Sequence, residues 1–307
     1  MSIDPSRRSL LRSGAVVGAS VVTSQIASAL DVPPHAESSP PQLVRLSLNE
    51  NPYGPSPNVA KAIRRESIRL NRYADSQSAL RLTEQIANYE HVPVEQVVLG
   101  EILEFLGLYL GSQGGPGGEF IYSTPGFLAL IDAAARVGSV GVPVPLNAQY
   151  QNDLPALSIK VNQRTRAIYL VNPHNPTGTV NDDEKFKRFL RKNSQNAVAI
   201  VDEAYLEYAS DFSSRSAVSL VRDGENVMVF RTFNKIHALA GLPIGYVLAP
   251  RALADALRKE GAGNAESLGR LNIVAASAAL QEINLVERTR KAVAHERTMR
   301  ALCPSAT

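Results

Sequence analysis

The chain has 307 residues, 44% of them hydrophobic, and carries 32 basic against 29 acidic side chains for a formal charge of +3. That length buries one large core and a smaller one, and no apolar run approaches the roughly 18 residues of a membrane-spanning helix. With residues 1 to 29 set aside, 29 basic and 28 acidic residues remain, a net of +1, which gives no reason to expect a nucleic-acid partner.

Residues 1–29 read as a leader. Ser6-Arg-Arg-Ser-Leu-Leu-Arg12 precedes the weakly apolar Ser13 to Val22 and then Ala27-Ser-Ala29, the parts of a twin-arginine signal peptide with an A-x-A cleavage site. The expectation is export of a folded protein to the periplasm, with no membrane attachment of the mature form. Residues 30–57 form an N-terminal arm whose first part is rich in Pro and Ser. The single cysteine, Cys303, excludes an intrachain disulfide, and His35, His91, His174, His237 and His295 lack metal-ligand spacing, so no metal is expected.

Helical periodicity follows over 58–70 and 78–90, then a short strand over 96–100 and an apolar helix over 101–110. Gly111-Ser-Gln-Gly-Gly-Pro-Gly-Gly118 lacks the Lys-Ser/Thr of a phosphate-binding loop and reads as a turn. A strand over 120–123, a helix over 128–137 and a strand over 140–144 continue the alternation. It predicts an α/β fold with a mostly parallel central sheet flanked by helices on both faces.

Three buried-strand runs, 167–172, 197–201 and 226–230, are each followed by a distinctive stretch: Val171-Asn-Pro-His-Asn-Pro-Thr-Gly178, Val201-Asp-Glu-Ala-Tyr205 and Arg231-Thr-Phe-Asn-Lys-Ile-His-Ala-Leu-Ala-Gly-Leu242. Ligands of open α/β sheets bind beyond the carboxyl ends of the strands, so Asn175, Asp202, Tyr205 and Lys235 are expected to converge on one crevice. Singly these residues are ordinary, because a lysine after a strand is usually solvated and an aspartate there usually caps a helix. Their occurrence together and in order is what points to chemistry. A strand over 244–249 and helices over 251–260, 270–282 and 284–300 complete the pattern.

With Leu48-Asn-Glu-Asn-Pro-Tyr-Gly-Pro-Ser56 and Leu70-Asn-Arg-Tyr73, these stretches make the chain resemble, from about Leu46 to about Arg300, the class I/II pyridoxal-phosphate-dependent aminotransferases. The likeness is greatest to the branch that includes histidinol-phosphate aminotransferase. The resemblance implies aminotransferase fold type I, with a large cofactor-binding domain over 58–262, an antiparallel strand at 244–249, and a partial, truncated small C-terminal domain over 263–307. It implies pyridoxal 5'-phosphate as cofactor, an amino acid and a 2-oxo acid as substrates, and a homodimer.

By the same resemblance Lys235 is the Schiff-base lysine, since a lysine amine is what condenses with this aldehyde. Asp202 pairs with the pyridine nitrogen, Tyr205 and Asn175 donate to the phenolic oxygen, Phe127 stacks on the ring, Thr232 reaches the phosphate, and Tyr53 reaches the neighbouring subunit's site. Two departures bear on the phosphate: Pro243 stands where the family usually has an arginine, and Leu99-Gly-Glu-Ile-Leu-Glu104 replaces a small-residue turn before a helix. The same fold also serves decarboxylases, lyases and oxidases, and a non-catalytic homologue would keep it too.

Overall fold

The computed structural model describes residues 47–302, which belong to one compact unit. The leader, the first part of the arm and Cys303 lie outside the described residues. Ser56 caps the first helix, α1 (Pro57–Glu66), by accepting from the Val59 amide, and Pro57 fills a first-turn position where no amide is required. Asp75 caps α2 (Ser76–Glu90) in the same way. There follow β1 (Val97–Leu99), α3 (Leu103–Ser112), β2 (Glu119–Thr124), α4 (Ala129–Arg136), β3 (Val140–Pro145), α5 (Leu154–Lys160), β4 (Thr165–Val171), α6 (Asp183–Asn193) and β5 (Val198–Asp202). The short α7 (Phe212–Arg215) and α8 (Val218–Arg222) lead to β6 (Val227–Thr232) and β7 (Gly245–Leu248), and α9 (Arg251–Lys259), α10 (Arg270–Ala279) and α11 (Ile283–Leu302) close the chain's described part.

The seven strands form one sheet in the order β1-β7-β6-β5-β4-β2-β3, with β7 antiparallel to both neighbours and every other pairing parallel. Successive side chains of a strand point to opposite faces. Ile168, Leu170, Ala199, Val201, Val227 and Val229 therefore join a core with α1, α2, α5, α6, α8 and α10, whereas Ala167, Tyr169, Val171, Ile200, Met228 and Phe230 join a second core with α3, α4 and α9. The close approach of α3 to α4 depends on glycine, because a Cβ at Gly107 would lie 2.2 Å from the Leu130 carbonyl oxygen.

In the segment from 263 onward, helix α10 packs on α1 and α2 in the same compact unit, with Ile273, Ala275, Ala276 and Ala279 in the core. Its small apolar residues allow that close approach to α1.

One interior cluster is polar. Arg231, 1% exposed, donates from Nε to Glu203 (2.9 Å), from Nη1 to Glu207 (3.4 Å) and from Nη2 to the Ser216 hydroxyl (3.0 Å), and Glu90 lies 3.7 Å from Nη1. Burial works against the guanidinium charge, but Glu90, Glu203 and Glu207 outweigh it and hold the arginine charged. Three carboxylates share that one guanidinium, and burial pushes Glu207 up to about 7 despite it.

Two outcomes follow for stability. Arg231→Met leaves buried carboxylates without their cation, and the denaturation midpoint in urea should fall by the equivalent of about 3–5 kcal/mol at unchanged slope. Because Glu207 binds its proton more tightly when folded, its contribution is fully present below its ordinary 4.5 and is lost as pH rises through about 7. Urea midpoints compared at about pH 5 and about pH 8 should therefore drop more for the native chain than for Glu207→Gln.

Candidate active site

The carboxyl ends of β4, β5 and β6 lie side by side, with Val171 opposite Asp202 and Asp202 opposite Phe230. The pleat that turns Arg231 toward the α2 face turns Asp202 and Thr232 to the other, where Tyr169 also points. Asp202 is 2% exposed. One of its oxygens accepts from the Tyr169 hydroxyl (2.8 Å) and the other from the Ala204 amide (3.0 Å). Burial raises it to about 6, opposed by those two donors and by the charge of Lys235. Among the described residues no cation forms an ion pair with it.

Lys235 follows β6 and is half-buried; its Nζ donates to the Leu48 carbonyl oxygen (2.9 Å) and lies 5.8 Å from the centre of the Tyr205 ring. Burial lowers its pKa, while Asp202, Glu101 and Glu50 act the other way. The Tyr205 hydroxyl, raised by burial, accepts from Asn49 Nδ2 (3.1 Å). Asn51 Nδ2 donates to the Ile236 carbonyl oxygen (3.0 Å), so the arm is folded over the lysine segment. Leu48 and Asn49 take the left-handed conformation there, with φ of 67° and 53°.

The structure thus brings Lys235, Asp202 and Tyr205 together. Asn175 joins them as a wall, with Tyr205, of a cavity of about 840 Å³ whose far side is α11. Phe127 is 42% exposed on the loop between β2 and α4, which borders the Asn175 loop at Gly126 and His174. Tyr53, 52% exposed, lies on the arm. Thr232 is turned inward: its Oγ1 accepts from the Asn234 amide (3.1 Å) and reaches the Ile244 carbonyl oxygen (3.4 Å). Nearby, Asn234 Nδ2 donates to Glu101 (3.3 Å), and the Pro243 carbonyl oxygen accepts from Asn272 (2.7 Å).

Four contributors were not singled out from the sequence as site residues. Tyr169 sits in an ordinary apolar strand, and only its parity with Asp202 across neighbouring strands signals the contact. Asn49 and the Leu48 carbonyl belong to an arm whose fold is fixed by contacts more than 150 residues away. His174, expected to be one of several scattered histidines, is buried, with Nδ1 on the Thr177 hydroxyl (3.0 Å) and Nε2 without a partner among the described residues.

The donor set fits the ring of a pyridoxal cofactor. A buried carboxylate without a cation suits a protonated ring nitrogen, a desolvated amine suits an aldehyde, and Tyr205 and Asn175 can donate to a phenolic oxygen. At the phosphate end the donors are Thr232, Asn234 and the first amides of α3, beside the Glu101 carboxylate and without an arginine at 243.

Comparison with known proteins agrees with this chemistry. The family model for "Aminotransferase class I and II" matches residues 41–303. The chain is 36% identical over 257 residues to an aromatic amino acid aminotransferase of Cutibacterium acnes, covering 83% of this chain and 72% of that one. To histidinol-phosphate aminotransferase 1 of Psychrobacter arcticus it is 33% identical, covering 81% and 64%. The crystal structure of histidinol-phosphate aminotransferase from Sinorhizobium meliloti in complex with pyridoxal-5'-phosphate superposes with a TM-score of 0.75 at 28% identity, covering 82% of this chain and 67% of that one. The parallel sheet, the lysine beside a buried aspartate and these likenesses agree: the chain belongs to the class I and II aminotransferases, the pyridoxal-phosphate-dependent transaminases.

Proposed function

We propose that this aminotransferase moves the amino group of an aromatic amino acid to a 2-oxo acid, as an exported homodimer, with Lys235 as its Schiff-base residue. The observation that carries the reading is the desolvated Lys235 amine beside Tyr205, just past the strand that neighbours a buried Asp202 with no ion-paired cation among the described residues. An aromatic substrate is supported by the apolar part of the cavity wall, which includes Pro52, Pro173, Tyr208 and Val293, and by the aromatic amino acid aminotransferases among the relatives. Histidinol phosphate carries a phosphate and is a cytoplasmic intermediate, which fits an exported enzyme poorly.

When bound, pyridoxal phosphate supplies an aldehyde carbon and a ring able to take up the electron pair left at the substrate Cα. Asp202 would hold a proton on the ring nitrogen. Tyr205 and Asn175 would donate to the phenolic oxygen and fix the plane of the ring, and Phe127 would cover one face. Burial makes Lys235 less basic than a solvated amine, and its neutral form would take a proton from the substrate Cα and deliver it two atoms away, to the carbon that the aldehyde supplies. The Leu48 carbonyl accepts from Nζ, and the arm covers the amine on that side. Thr232, with Asn234 and the α3 amides, would receive the phosphate.

Export is supported by Ser6-Arg-Arg-Ser-Leu-Leu-Arg12 and Ala27-Ser-Ala29, and a route that carries folded proteins lets the cofactor be acquired first. Dimer formation is supported by Tyr53, an aromatic exposed on the arm.

In the chain purified with pyridoxal phosphate, an absorption band between about 300 and 500 nm should respond to phenylalanine, tyrosine or tryptophan and not to histidinol phosphate. Lys235→Ala should lose that band and lower turnover by about 10²–10⁴-fold or more, whereas Asp202→Asn should lower turnover at unchanged fold, as read by circular dichroism. A native chain without a band when saturated with cofactor would defeat the proposal. Replacing Arg7 and Arg8 by lysine should leave the protein in the cytoplasmic fraction, and periplasmic recovery equal to that of the native leader would contradict the export reading.

A further inference from the structure

A second cavity, of about 600 Å³, lies between α5, α6 and the loop of residues 147–152, and it shares no lining residue with the cavity beside Tyr205. One side of it is basic. Lys185, Arg188 and Lys192 recur at the i, i+3, i+7 spacing that puts them on one face of α6, and none of them forms an ion pair among the described residues. The other cations of that helix do: Lys187 pairs with Asp183 (3.0 Å) and Arg191 with Asp223 (3.3 Å). Among the described lining residues Asp182 alone is acidic, and its Oδ1 caps α6 by accepting from the Lys185 amide (3.0 Å), so the lining carries a surplus of two positive charges.

The opposite side is built of amides, each held at one end. Asn147 Oδ1 accepts from the backbone amides of Gln149 (2.9 Å) and Gln151 (3.0 Å), and Gln151 Nε2 donates to the Val180 carbonyl oxygen (2.8 Å). Asn152, 1% exposed, donates from Nδ2 to the Val171 carbonyl oxygen (3.2 Å) and to Asn181 Oδ1 (2.9 Å). Uncommitted among the described residues are the Nδ2 donor of Asn147 and the acceptor oxygens of Gln151 and Asn152, the last of them buried without a partner. Amides fixed in this way have already lost the side-chain freedom that binding would otherwise cost. Mixed donors and acceptors match hydroxyl groups, which do both, whereas an anion that only accepts leaves the two oxygens unanswered. A buried acceptor without a donor is costly, and a ligand hydroxyl that reaches Asn152 removes that cost.

We propose that this cavity binds an acidic sugar, a hydroxyl-rich molecule with two negative charges, its anionic groups on Lys185, Arg188 and Lys192 and its hydroxyls on Asn147, Gln151 and Asn152. The volume lies within the range of about 300–1,000 Å³ usual for small-molecule sites. The basic face runs about 10 Å along α6, at about 1.5 Å per residue, so the charge can be brought by one phosphate or by two carboxylates on linked rings. Neither transamination nor its cofactor enters this assignment.

Calorimetric titration of the full chain at about 0.15 M salt, where diffuse attraction between exposed charges is screened, tests it. The ligands are glucose 6-phosphate and digalacturonate, which carry their charge as phosphate and as carboxylates, with maltose as hydroxyls without charge and sulfate as charge without hydroxyls. At least one acidic sugar should bind about tenfold or more tighter than both maltose and sulfate, and which of the two does so identifies the anionic group. Arg188→Gln should lower that affinity by about tenfold, while Arg191→Gln, the same change of charge at a residue that does not line the cavity, should leave it as it was. Both arginines are exposed, so neither change disturbs the core. Binding of both acidic sugars no tighter than of maltose or of sulfate overturns the proposal, as does an equal loss in the two variants or no loss in either.

Discussion

A carboxylate held at the end of β5 with no cation of its own is the constraint around which the site is arranged. Removing Asp202 from water disfavours its charge, and the Tyr169 hydroxyl and the Ala204 amide offset only part of that cost, which is why the group is raised to about 6. In the role proposed for Asp202, a cationic ring nitrogen would supply the missing partner. The same low-dielectric surroundings lower Lys235, so a single act of burial leaves the acid seeking a positive charge and the amine less willing to carry one. Chemistry at an aldehyde carbon needs both.

Adjacent residues divide the work through the pleat. Asp202 faces the cofactor side, and Glu203, one residue on, faces Arg231 on the other; Thr232 and Arg231 split in the same way on β6. The ends of β5 and β6 are therefore clamped from behind by the Arg231 cluster, which reaches Glu207 just beyond Tyr205 and Glu90 at the end of α2. Burial, aided by the neighbouring Glu90, raises Glu207 to about 7 against the pull of Arg231. The clamp's rigidity passes to Tyr205 and, through the Glu207 carbonyl, to Arg290 of α11.

The sheet was legible because its strands are continuous apolar runs, each followed by polar residues in fixed order, and the turn of β7 to antiparallel came with the resemblance. Lys235, Asp202, Tyr205 and Asn175 were legible for the same reason, since topology alone brings the ends of three neighbouring parallel strands to one edge. The Arg231 cluster was not, because its members are spread from Glu90 to Arg231 and each looks like a surface charge when read in isolation. The placement of the arm was not legible either, since Asn49 and Asn51 tie it to residues 156 and 185 positions away, contacts without any local periodicity. Helices α7 and α8, of four and five residues, are too short to show a repeat.

The two ends of the cofactor site differ in kind. At the ring, burial, a matched carboxylate and two hydrogen-bond donors act together. At the end expected to take the phosphate, Pro243 offers neither charge nor donor, and Asn234 Nδ2 already donates to Glu101, whose carboxylate is raised by burial and drawn down by that bond and by Lys235. An arriving phosphate meets Thr232, which must release its bond to the Ile244 carbonyl, and the α3 amides, which bear no side-chain cap. Each donor at that end is either occupied or neutral, so in the proposed roles the hold on a pyridoxal cofactor would be weighted toward the ring. The preorganisation of Asp202 and the covalent reach proposed for Lys235 would carry what an arginine would otherwise share.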